Sequence, residues 1–119
     1  MNIEKKESFI RYLDERTSAV QDNIARLNED DRRDEADFEK IRANIFPIMK
    51  QILQASERIA KDEGEQIKFL DDRITMFEDT WKEALAKATE HKDAKRILQE
   101  QVKLEAINEI RDAFERIWR

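Results

Sequence analysis

The apolar residues of this chain step by three and then four along most of its length. One series runs Ile10, Leu13, Thr17, Val20, Ile24, Leu27. A second runs Phe38, Ile41, Ile45, Ile48, Ile52, Ala55, Ile59, and a third Ile67, Leu70, Ile74, Phe77, Trp81, Ala84, Ala88. Residues three and four apart share one face of an α-helix, so each series predicts a buried stripe on an amphipathic helix. A fourth, broader stripe runs Ile97, Leu98, Val102, Leu104, Ile107, Ile110, Phe114, Ile117, Trp118.

The spacing and the end signals predict helices over about 3–27, 34–62, 65–91 and 93–118. Asn2 and Asp93 suit N-caps, Asn28 a C-terminal stop, and Gly64 the left-handed residue that closes the second helix. Each rod would be ~40 Å long at ~1.5 Å per residue. The expected fold is all-α, a four-helix up-and-down bundle forming a single domain over 1–119. The weakest turn signal is at Thr89–Ala94, which has neither Gly nor Pro. A chain that ran straight there would fuse the third and fourth helices into one long rod, which must pair in a dimeric helical assembly to bury its stripe.

Pro47 falls inside the second helix and cannot donate to the carbonyl of Ala43, at a cost of about 3 kcal/mol in a helix interior. The stripe keeps its phase from Ile41 to Ile52, which predicts a continuous, kinked helix rather than a break near Asn44. Beside that stripe Phe46, Met49 and Leu53 form a second one. A helix with so wide an apolar cover is either central in the bundle or buried in a subunit contact. Phe46, Pro47, Met49, Leu53 and the penultimate Trp118 are therefore the candidate interaction surface.

Composition agrees with long helices. The 119 residues include one Gly and one Pro, with 43% charged and 39% hydrophobic residues. Acidic residues often precede basic ones by four, as in Glu83 and Lys87 or Glu115 and Arg119, a pattern of solvated helix faces. The net charge is −5 and neither half of the chain is basic, so no nucleic acid is expected as partner. The longest apolar run, 45–49, is far below the ~20 residues that span a bilayer, and the polar start lacks a signal-peptide core. The expectation is a cytoplasmic protein with no membrane partner.

Candidate chemistry is sparse. There is no Cys and one His, so neither a zinc site nor a di-iron Glu-x-x-His set can be assembled, and no metal or cofactor is expected. The acidic stretch from Glu29 to Asp37 lacks the Gly of a calcium loop. Without glycines there is no phosphate-binding loop and no nucleophile elbow. His91 beside Lys92 and Lys95 is the one alternative, a histidine phosphotransfer-like signalling bundle, although Ala94 and the absence of a following Gly depart from that layout. The leading expectation is a protein–protein interaction or scaffolding module. It is expected to associate with itself as a homo-oligomer or with another protein, without catalytic activity and without a small-molecule substrate.

Overall fold

The computed structural model describes residues 2–119 and forms four helices: α1 (Ile3–Glu29), α2 (Arg33–Ile59), α3 (Glu63–Glu90) and α4 (Ala94–Trp118). Three short turns reverse the chain, giving the four-helix bundle that the periodicity implies. Ion pairs fix the up-and-down order. Lys5 at the start of α1 lies 3.2 Å from Glu63 at the start of α3, and its ammonium also donates to the Trp118 carbonyl at the end of α4, at 3.5 Å. Lys6 pairs at 2.8 Å with Glu57 near the end of α2. This is the closed end. The turns after α1 and α3 form the opposite end, the tip.

Both tip turns are built the same way. After α1, the Arg32 N–H donates to the Leu27 carbonyl at 2.8 Å and Asp31 N–H to Asn28 at 3.2 Å. After α3, Asp93 N–H donates to Ala88 at 3.0 Å and Lys92 N–H to Thr89 at 3.1 Å. Each is the crossed pair of a Schellman motif, which satisfies the last helical carbonyls. The left-handed position, usually Gly, is taken by Asp31 (φ 60°) and Lys92 (φ 54°). The chain therefore turns at His91 without a glycine, and the long-rod alternative is ruled out.

The remaining turn corrects the sequence expectation. Gly64 does not close α2; it sits in the first turn of α3 with no left-handed backbone. The helix ends at Ile59, and Asp62 caps α3 by accepting from the Glu65 N–H at 2.8 Å, while Glu65 reaches back to the Lys61 N–H at 2.8 Å. This reciprocal satisfaction of free N–H groups is a variant of the capping box, and it outweighs the Gly signal. Asn28 likewise is not the stop; α1 runs on to Glu29. Asn2 and Asp93 do act as N-caps, accepting from Lys5 and Arg96 N–H at 3.1 Å each. α2 is continuous through Pro47.

The bundle is flattened, 46 × 35 × 21 Å. α2 and α4 pack on one another across the middle, while α1 and α3 take the outer corners. The dense core fills the closed half: Phe9, Leu13 and Val20 from α1, Phe46, Met49 and Leu53 from α2, Leu70 and Ile74 from α3, and Ile107, Ile110, Phe114 and Trp118 from α4. Each such side chain contributes ~1.5–3 kcal/mol on burial. Trp118 meets the Phe9 ring edge-on at 6.5 Å, and Tyr12 meets Phe46 edge-on at 6.3 Å.

Candidate docking cleft

Of the five residues expected to form an interaction surface, four are buried in the core of the single chain. Phe46 and Leu53 are fully buried, Met49 and Trp118 nearly so, and Pro47 is half-buried. The physical reason is the central place of α2, which touches all three other helices and needs a broad apolar face. Between its two stripes, the one carrying Phe46, Met49 and Leu53 points to the core centre. The other stripe is rotated to the edge of the core: Ile45 is buried and Ile52 packs against the core, while Ile48 and Ile59 are left 42% and 62% exposed.

That rotation opens a cleft toward the tip. α2 contributes Asp34, Asp37, Phe38 and Ile41 to one wall; Ala94, Lys95, Leu98 and Gln99 of α4 form the other, enclosing about 600 Å³. From Ile41 the hollow continues for about 300 Å³ along α2 past Ile45 and Ile48, against Trp81 of α3 and Lys103 of α4. The α2 wall from Asp34 to Ile48 is ~21 Å long at ~1.5 Å per residue, about four helical turns. Trp81 is stacked on Phe77, centroids 5.0 Å apart, and stays half-buried, although the third stripe places it in the core.

At the level of the cleft the core register of α4 turns polar. Residues 100, 107 and 114 share one helical face. Ile107 and Phe114 fill the core at two of these positions; the third is Glu100, 1% exposed. Its Oε1 accepts from Lys103 Nζ at 3.1 Å and lies 3.4 Å from Arg96 Nε, while Oε2 has no hydrogen-bond partner. The carboxylate, held by two bases on its own helix, makes this layer of α4 polar where Ile107 and Phe114 make the next two apolar. On α2 the inward positions near the tip are small, Ala36 fully buried and Ala43 packed against the core.

Charge divides the tip. From Glu29 to Glu39 the first hairpin carries seven carboxylates against Arg32 and Arg33. From Lys87 to Arg96 the second carries four bases and His91 against Glu90 and Asp93. The cleft therefore has an acidic edge on α2 and a basic edge on α4. Among the described residues Asp34 and Lys95 have no ion-pair partner within 4.0 Å, and Asp37 reaches only Lys40 of its own helix, at 3.3 Å.

His91 lies apart from this cleft. It is the exposed C-cap of α3, so it stands at a turn rather than on a helix face. A hollow between α3 and α4 places it near Lys87 and Arg96, but also near Glu83 and Asp93, whose charges oppose an incoming phosphoryl group. Among the described residues no cluster of three or more His, Asp or Glu side chains converges as a metal site, and no helix is long and apolar enough to cross a membrane.

The remaining polar seams lock helices to each other. Glu109 of α4 accepts from the Tyr12 hydroxyl and from Arg16 Nε at 2.7 Å, joining α4 to α1. Burial and that bond hold the Tyr12 phenol well above its usual range. Arg111 of α4 gathers Asp71, Thr75 and Glu78 of α3. Arg42 of α2 bridges to Glu105 of α4 at 2.7 Å.

No family model, curated protein or solved structure matches this chain. The fold itself defines a class, an up-and-down four-helix bundle with one closed and one open end.

Proposed function

We propose that the chain is a non-catalytic helical interaction module whose working face is the tip cleft between α2 and the α3–α4 hairpin. The observation that carries this reading is the row of apolar side chains lining it: Phe38, Ile41 and Trp81, each half-buried, and Ile48 and Leu98, left 42% and 48% exposed. A cleft of about four turns with an apolar floor and charged edges matches the way an amphipathic helix lies in a groove. On the second stripe of α2, Ile45 and Ile52 pack in or against the core, but Ile48 is left exposed in the monomer. The chemistry of the cleft is poor for catalysis, since the polar groups at its rim are solvated acids, lysine and amides with no nucleophile beside a base.

The test is site-specific photo-crosslinking in the cells that make the protein, with the reactive residue at Leu98 and, as control, at Met76. Met76 is equally exposed, at 45%, but lies outside the cleft. A defined protein adduct, this chain included, from position 98 and not from 76 supports the reading. Absence of adducts from 98, or the same adducts from both, removes it.

A further inference from the structure

We propose that the occupant of the cleft is a second copy of this chain, joined by a two-fold axis along the groove; this rests on the interaction-module reading above. The argument is electrostatic and geometric. The edges of the groove carry opposite charges, Asp34 and Asp37 on α2 and Lys95 on α4. Asp34 and Lys95 bound the same hollow of about 600 Å³ and form no ion pair within 4.0 Å with each other. A two-fold rotation about an axis along the groove turns one apolar floor onto the other and exchanges the edges. The acidic edge of each copy then faces the basic edge of its partner, and both contacts are made twice.

The alternative two-fold, lying across the groove, sets acid on acid and base on base. Charge thus selects one symmetric arrangement and rejects the other. The same rotation brings the uncovered Ile48 and Leu98 of each copy under the other, removing from water the side chains that the monomer leaves out. A foreign helix would need basic residues along one flank and acidic along the other; this chain already carries both, in register with themselves.

The test is analytical ultracentrifugation of the full chain from low to high micromolar concentration, at low and at raised salt. The wild type is expected to show a monomer–dimer equilibrium that weakens with salt, since the edge charges are exposed and screened. Lys95→Glu makes both edges acidic, and Asp34→Lys with Asp37→Lys makes both basic. Each variant alone should raise the dimer dissociation constant roughly tenfold, about 1.4 kcal/mol for two reversed contacts. An equimolar mixture of the two should dimerise again as a heterodimer, because every acidic edge now meets a basic one. Helical circular dichroism confirms that each variant is folded, and Leu98→Asp in the floor serves as a second variant that should also give monomer.

A wild type that stays monomeric at every concentration overturns the proposal, as does a dimer insensitive to all three changes or a mixture that fails to reassociate. If the chain is monomeric while position 98 still crosslinks to a different protein, this proposal falls and the interaction-module reading stands. If position 98 crosslinks to nothing, the broader reading falls.

Discussion

Gln66 of α3 donates from Nε2 to the Ser56 hydroxyl of α2 at 3.1 Å, with both side chains buried next to the turn that joins their helices. The Ser56 hydroxyl in turn donates to the Leu53 carbonyl at 2.6 Å, while Gln66 Oε1 has no hydrogen-bond partner among the described residues. The pair is a small polar island in the closed half of the bundle. Ser56→Ala removes the acceptor for a dry amide and should cost about 1–3 kcal/mol. Adding Gln66→Met should recover most of that loss, because both polar groups are then gone. Urea unfolding of the two single variants and the double variant measures this coupling; independent, additive losses would show that the pair is not a unit.

The tip turns hold a second prediction. Lys92 sits in the left-handed region at φ 54°, where a side chain costs about 1–2 kcal/mol and Gly costs little. Lys92→Gly should therefore raise stability by about 0.5–1 kcal/mol after the extra freedom of Gly in the unfolded chain is counted. Asp31→Gly should gain less, since Asp tolerates this conformation better than Lys. Chemical denaturation checks both, and a loss of stability in Lys92→Gly would contradict the geometry of that turn.

Truncations should separate core from cleft. Phe46→Ala and Trp118→Ala each empty a fully packed site and should cost about 3–5 kcal/mol. Ile48→Ala and Leu98→Ala, both largely exposed, should change monomer stability by less than about 1 kcal/mol. Thermal or urea unfolding at low concentration reads this contrast, and equal losses at all four positions would erase the distinction on which the cleft rests.

Acid should loosen the α3–α4 seam through Asp71. Its carboxylate is held below the usual range by hydrogen bonding to Arg111, with burial opposing and Arg119 adding to the effect. Arg119 Nη2 lies 2.9 Å from it. Because the folded-state pKa is depressed, the contribution to stability is complete above the ordinary carboxylate value and disappears as pH falls through the folded one. Asp71→Asn should lower stability at neutral pH and flatten the fall in stability below about pH 4, a range set by the ordinary aspartate pKa. Unfolding midpoints across the acid range test it; parallel profiles for variant and wild type would contradict this linkage.

Much of the architecture was legible in the residue pattern. The three-and-four spacing defined four helices, and Asn2 and Asp93 marked two of their starts. The local signals erred where two of them competed. Gly64 looked like a stop, but the Asp62 and Glu65 pair captured the free N–H groups first. The exposed faces tell the same story: of the four-residue ion pairs, Glu83 with Lys87 and Glu115 with Arg119 form, whereas Glu57 turns to Lys6 and Glu78 to Arg111 across helix seams. A partner on another helix is invisible to spacing along one.

The candidate site was not legible, though its traces were present. Two apolar stripes on α2 signalled a helix central in the bundle or buried in a contact, and Glu100, seven residues before Ile107, marked a polar position in the α4 stripe. Choosing between the α2 stripes required knowing how far the helix is rotated about its own axis. Spacing gives a period and not a phase, so the sequence alone determined the helices and their order, while the turn at His91 and the boundary between α2 and α3 were decided by backbone hydrogen bonds seen only in the structure. The rotation of α2, the burial of Phe46 and Trp118, and the opening of the tip are set by how four helices share one volume. Large side chains fill the closed half, while toward the tip Phe38, Ile41 and Leu98 line a hollow between α2 and α4 instead of meeting across it.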